Sequence, residues 1–439
     1  DLRMSRGLGD VYKRQTLGNI FKGDKVIWMV FFFLCIISIV EVYSASSSMT
    51  YKSGAYWAPM IKHTGLILLG IGVMLVTLNI QCKYFKVITP ILLVISFITL
   101  IWVWFAGEST NGAQRWISLL GIQFQPSEIA KGTVVLATAQ ILSAMQTDKG
   151  ADKKALKFIL TVAGLFTVLI AIENLSTAML LCVTIFCMMV IGRVPTKQLG
   201  RLAGIATLCV VILLSLIWMV GTDRPEPDAN RNLTELAGKG KQEQNAQNVG
   251  MIGKIFHRAD TWKSRMKGFM NDKDLKPGDI DLDKDAQKAH ANIAIATSNV
   301  VGKGPGNSVE RDFLSQAFSD FIYAIIIEEM GIEGAFFVAM LYIILLFRTG
   351  KIANRCENNF PAFLAMGLAI MLVIQALFNM LVAVGLAPVT GQPLPLISKG
   401  GTSTVINCVY IGVILSISRS AKRKAIPQEA TGGNILGTA

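Results

Sequence analysis

Apolar runs of about twenty residues recur along this chain between Val26 and Arg419, and they constrain its fold more than any other feature. A helix rises ~1.5 Å per residue, so each run is long enough to cross the ~30 Å hydrocarbon core of a bilayer. The chain has 439 residues, of which 52% are hydrophobic and only 16% charged. A soluble domain would carry about a quarter charged residues. The expected fold class is an all-α polytopic membrane protein of about ten transmembrane helices, near 26–45, 63–80, 86–106, 126–146, 156–172, 175–192, 200–221, 320–347, 361–385 and 402–419. One long extracytoplasmic loop, 222–319, joins helices seven and eight.

The net charge of +13 is a topology signal and not a nucleic-acid footprint. Lys22/Lys25, Lys83/Lys86, Lys153/Lys154/Lys157, Arg193/Lys197/Arg201, Arg348/Lys351/Arg355 and Arg419/Lys422/Arg423/Lys424 flank the spans on alternate connections. The positive-inside rule then places both termini in the cytoplasm. The seven cysteines lie in spans or at their cytoplasmic ends, so no disulfide framework is implied. Three scattered histidines form no metal-ligand cluster. Residues 1–15 fit neither a signal peptide nor a span and read as a disordered or adapter-derived arm; 16–425 form the membrane domain and 426–439 a cytoplasmic tail.

Within the long loop, Asp223–Gln247 is polar, and Gly250–Met270 alternates apolar with basic residues, among them Arg265. The latter reads equally as an amphipathic helix at the membrane interface or as one packed on the loop. Val301–Ser308 is glycine-rich, but no Walker pattern follows it.

Charges inside apolar runs are costly, roughly 2.5–3.5 kcal/mol each on the insertion scale, so each needs a partner or a job. Asn111-Gly-Ala-Gln-Arg115-Trp-Ile and Gln125-Pro-Ser-Glu128-Ile-Ala-Lys131 place three such groups at the outer end of helix four or inside it. Glu128 and Lys131 share one helix face, with Pro126 at the first helical position and Glu128 in the first turn. They read as a functional pair or as an ion pair that neutralises itself. Asp320 opens helix eight and reads either as its cap or as a functional acid. Glu328 and Glu329, ~12 Å further along, read as structural acids with polar partners on neighbouring helices, the alternative being a catalytic role. Dense Pro and Gly in Gly385–Ser403 predict a re-entrant loop, tolerated at membrane depth only where buried or lining a cavity. With Gln375 and Asn379 facing it, the loop describes a polar cavity open to the outside.

At these residues the chain resembles the SEDS (shape, elongation, division, sporulation) family of FtsW/RodA type. The resemblance spans about 20–425 and rests on Gly112-Ala-Gln-Arg-Trp116, Gln125–Lys131, Asp320-Phe-Ile-Tyr…Glu328-Glu-Met-Gly331 and Pro388–Gly401. It implies a peptidoglycan glycosyltransferase that polymerises lipid II outside the cytoplasmic membrane, with Asp320 as the essential acid. It also implies that Glu128 and Lys131 line the same site as Ser398, Gly400 and Gly401. Asp320 would act as general base on the acceptor 4-hydroxyl, and undecaprenyl pyrophosphate would leave with inversion. Lys131, Arg115, Arg265 or a divalent cation (Mg or Mn) could offset the leaving charge. Implied partners are a class B penicillin-binding transpeptidase and other divisome membrane proteins at the septum, since Glu41–Ser48 and the long loop look like the division branch.

The chain departs from the family pattern in places. Phe318-Ser319 stands for the usual His-Thr, Leu314-Ser315-Gln316 for Leu-Pro-Glu, Glu173-Asn174-Leu175 for Pro-Asp-Leu, and Ser398-Lys399-Gly400-Gly401 for Ser-Tyr-Gly-Gly. The alternatives are a lipid II flippase, an elongation-type polymerase and a non-enzymatic division scaffold. Outward clustering of the charges and the lack of an inverted repeat weigh against the flippase.

Overall fold

The computed structural model describes residues 21–46, 57–106, 108–110, 113–119, 122–220, 263, 286–314 and 317–422. The arm 1–15, the tail 426–439 and the proposed amphipathic helix (apart from Lys263) lie outside the described residues. The elements run α1 (Lys25–Ala45), α2 (Ala58–Asn79), α3 (Cys82–Ala106), β1 (Glu108–Thr110), β2 (Ala113–Leu119), β3 (Ile122–Phe124), α4 (Pro126–Ala144), β4 (Gln146–Thr147) and β5 (Gly150–Ala151). They continue with α5 (Ala155–Glu173), α6 (Leu175–Ile191), α7 (Thr196–Val220), α8 (Ala286–Thr297), α9 (Ile322–Ala353), α10 (Asn359–Ala383) and α11 (Thr402–Lys422).

Eight of these helices are long and apolar enough to cross a membrane. The other two of the expected ten are α4, which carries Glu128 and Lys131, and the 17-residue α6. Large side chains such as Val87, Phe105 and Met219 stand exposed on the bundle surface, as lipid contact requires. Asn174 makes the break between α5 and α6 by accepting from Thr177 N at 3.2 Å. Two features depart from a purely helical fold. The segment between α3 and α4 folds as an antiparallel meander β1-β2-β3, and β4-β5 form a small hairpin. These short segments satisfy backbone groups by pairing with one another.

Helix α10 sits against α9, α4 and α6, and α11 lies along α2. At the basic end, Asp24 caps α1 through Val26 N (2.9 Å), receives Arg348 at 2.8 Å, and donates its own N–H to Ser418 Oγ at 2.9 Å. One residue, through its carboxylate and its backbone N–H, thus ties together α1, α9 and α11.

Helix α9 is interrupted at Gly331 (φ 71, ψ −174). The break frees the carbonyls of Glu328 and Glu329, which accept from Lys303 N (2.9 Å) and Gly304 N (2.8 Å), while Glu333 N turns to Val300 O (3.4 Å). A Cβ on Gly331 would lie 2.1 Å from Val300 O, so only glycine permits this insertion. The two carboxylates complete it. Glu328 accepts from Lys303 Nζ (2.6 Å), Val309 N (3.1 Å) and the Ser308 hydroxyl; Glu329 accepts from Gly306 N (2.9 Å), Ser308 N (3.2 Å) and the Ser44 hydroxyl. Their role is structural, as expected, but most of their partners come from the glycine-rich loop and not from neighbouring helices.

Candidate functional site

Asp320 lies at the end of the bundle opposite Asp24, in the turn that precedes α9. Phe321 occupies the cap position, one residue after Asp320. Ser319 Oγ donates to Asp320 Oδ1 at 3.0 Å, and the carboxylate is half-buried. Asn379 of α10 fixes the backbone beneath it: its Nδ2 donates to Asp320 O and to Gln392 O, both at 2.8 Å.

Gln392 belongs to the Pro- and Gly-rich segment between α10 and α11, which has no regular structure and is largely buried, as the sequence predicts. Its fastenings are specific. Gln375 Nε2 donates to Pro393 O (3.0 Å), Gln392 Nε2 to Thr177 Oγ1 (2.9 Å), and the Tyr342 hydroxyl to Pro395 O. Ser38 Oγ donates to Ile397 O at 2.7 Å. A serine hydroxyl has one hydrogen, so the 2.7 Å contact between Ser38 Oγ and His63 Nε2 has the histidine donating. Ser398 Oγ donates to Ser319 O (2.6 Å), and Lys399 N to Phe318 O (3.0 Å). The loop and the Asp320 turn are therefore bonded directly to each other.

Glu128 and Lys131 are 2% and 0% exposed. Lys131 Nζ reaches Glu128 Oε1 and Gln375 Oε1, each at 2.9 Å. A buried ion pair on α4 thus orients the amide that holds Pro393. The sequence placed these side chains in a cavity open to the outside; in this conformation they are sealed beneath the loop and connect to Asp320 through α10. The nearby cavity of about 10 Å³, lined by Gln125, Ser127 and Asn174 among others, has room for about one water molecule.

Of the other predicted site residues, Ser398, Gly400 and Gly401 join the Asp320 turn through Ser398. Arg115 lies on β2, which packs on α3, α4 and α5. Arg265 lies outside the described residues. Residues the sequence did not single out are Thr177, Tyr342 and Lys399. The last had a signal, a lysine where the family pattern carries tyrosine. Its ammonium sits over the Phe318 ring, 4.8 Å from the centroid, so two departures from the pattern touch each other. Among the described residues no group of three His, Cys, Asp or Glu side chains could hold a metal ion.

A buried, loop-capped polar site at one end of a bundle in which eight of the described helices are long and apolar enough to cross a membrane defines an integral membrane protein. The cell cycle protein family of FtsW, RodA and SpoVE matches residues 24–224 and 250–423. The chain belongs to that family. It is 28% identical over 408 residues to the "Probable peptidoglycan glycosyltransferase FtsW" of Geobacter sulfurreducens, covering 92% of this chain and 97% of that one. It is 26% identical over 402 residues to the peptidoglycan glycosyltransferase MrdB of Escherichia coli K12, covering 91% and 94%. Its fold matches a chain of a solved peptidoglycan synthase complex that coordinates polymerization and crosslinking, with a TM-score of 0.63, 21% identity, and 91% and 98% of the two chains covered.

Proposed function

We propose that this protein is a peptidoglycan glycosyltransferase that polymerises lipid II into β-1,4-linked strands on the outer side of the cytoplasmic membrane. The observation that carries the reading is Asp320, a half-buried carboxylate held at one end of the bundle by Ser319 and, through its backbone, by Asn379. The acceptor 4-hydroxyl gives its proton to the Asp320 carboxylate as its oxygen attacks the anomeric carbon of the donor. The bond to the diphosphate breaks with its electron pair, and the anomeric centre inverts. Ser319 orients the base by donating to one carboxylate oxygen. The loop Gly385–Gly401 forms the floor of the site, and Glu128, Lys131 and Gln375 hold that floor in place. Among the described residues no group of three His, Cys, Asp or Glu side chains could hold a metal ion, so a divalent cation (Mg or Mn) taking part would draw most of its ligands from the diphosphate oxygens and water.

The alternating basic connections support cytoplasmic termini, which put Asp320 on the outer face. The resemblance to a synthase that couples polymerization with crosslinking supports a class B transpeptidase as partner. Relatives named FtsW, among them that of Geobacter sulfurreducens, support division over elongation. The long loop and Glu41–Ser48 favour division, with a place at the septum among other divisome proteins. The test is lipid II polymerisation by the purified protein with its transpeptidase, wild type beside Asp320→Asn. Polymer from wild type alone, with both complexes intact, supports the reading. Equal polymer from both removes Asp320 as base; lipid II translocation without polymer from either favours a flippase.

A further inference from the structure

The cations near the site differ in how they are compensated. Lys131 is paired with Glu128, Lys303 with Glu328, and Arg311 lies 3.9 Å from Glu329. Lys399 has no such acid: among the described residues no carboxylate lies within ion-pair distance of it. Its backbone is bonded to Phe318 O at 3.0 Å, two residues before Asp320. Its ammonium rests on the Phe318 ring, which attracts a cation without neutralising it. Its charged neighbour is Lys62, exposed at the start of α2. Burial, and then the Lys62 charge, push the Lys399 ammonium below its usual range, the mark of a cation short of a counter-ion.

We propose that Lys399, with Lys62 beside it, binds the diphosphate of the lipid-linked donor; this rests on the glycosyltransferase reading above. A cation fixed against the Asp320 turn without a carboxylate partner, and repelled by the Lys62 charge, is stabilised by a multiply charged anion. The surroundings suit one. Helix α11 starts three residues beyond Lys399, and a helix N-terminus favours negative charge. A Cβ built on Gly401 would meet no atom within 4 Å, which leaves room for a ligand to approach the backbone. Thr402 Oγ1 is buried there without a hydrogen-bond partner. The geometry gives leaving-group binding and proton abstraction to adjoining segments, Lys399 in the loop and Asp320 in the turn it is bonded to.

The test is binding of inorganic pyrophosphate, by calorimetry, to the full chain with its transpeptidase in phosphatidylcholine nanodiscs. Wild type is compared with Lys399→Arg, Lys399→Ala and Lys62→Ala, and lipid II polymerisation is measured on the same samples. The expected result is about tenfold weaker binding for Lys399→Ala, a smaller loss for Lys62→Ala, and binding within about threefold of wild type for Lys399→Arg. Retention of the transpeptidase shows that each variant is folded. Equal binding by all four proteins while wild type polymerises lipid II overturns the inference and leaves the proposed function standing. Lys399-dependent binding with no polymerisation by wild type sinks the reaction and keeps the anion site. Adding phosphatidylglycerol to the nanodiscs separates the two sources of phosphate; loss of pyrophosphate binding there assigns the site to bulk lipid headgroups and overturns the donor assignment.

Discussion

Replacing Asn379 with leucine tests whether Asp320 is positioned from below. Leucine has the same branched outline and the same number of side-chain heavy atoms, so the change removes two hydrogen bonds while keeping the shape of a residue that is 1% exposed. It strands the carbonyls of Asp320 and Gln392, each now receiving an N–H at 2.8 Å. A buried acceptor left unsatisfied costs ~1–3 kcal/mol, so the pair costs about 2–6 kcal/mol if nothing relaxes. Relaxation is the more favourable course. The turn and the loop move apart until water reaches both carbonyls, and the carboxylate moves with the turn. A displacement of ~1 Å at a reacting group costs on the order of a hundredfold in rate. We therefore expect the initial rate of lipid II polymerisation at saturating substrate to fall about a hundredfold, with a lower unfolding midpoint in detergent. Asn379→Asp should do at least as badly, because it turns the donor into a third acceptor facing two carbonyls. A leucine variant within threefold of the wild-type rate, with an unchanged midpoint, would refute the positioning argument.

Two further outcomes follow from buried groups. Lys131→Met leaves Glu128 charged and without its ammonium in a sealed interior, which costs about 3–5 kcal/mol, whereas adding Glu128→Gln should recover much of the lost thermal stability. Gly331→Ala drives a methyl into Val300 O and should abolish recovery of folded protein from detergent extracts, while Gly350→Ala on the same helix, whose nearest atom would be 3.9 Å away, should express normally.

The membrane-spanning helices were legible because each property that defines them is local. A run of apolar residues, Pro126 at a first helical position and Asn174 at a break each act within one or two turns, and each is where the pattern placed it. The Glu128–Lys131 pair was legible for the same reason, since residues three apart on a helix must face together. The strands β1 to β3 were not read from their sequence, because β1 and β3 have three residues each, too few to show an alternation, and the seven-residue β2 is defined by pairing with them. Nor were the partners of Glu328 and Glu329 visible. Two adjacent acids in an apolar run signal that partners exist, but those partners are backbone N–H groups of Gly306, Ser308 and Val309, about twenty residues upstream.

The same reasoning explains why the candidate site was recognised by its motifs but not assembled from them. Asn379, Gln375, Ser398 and the Lys399 amide each donate to a main-chain carbonyl: Asp320, Gln392, Pro393, Ser319 or Phe318. Every residue owns a carbonyl, so the accepting half of each bond leaves no trace in residue type. Only the donors can be read, and they appear as unexplained polar residues in apolar surroundings. Side-chain contact is different, because both partners are chosen. Phe318 and Lys399 show this: each breaks the family pattern alone, and together they form one cation held over one aromatic face. Two departures that look like separate losses in the sequence are a single local arrangement in the structure, and it delivers a positive charge to the segment that carries Asp320.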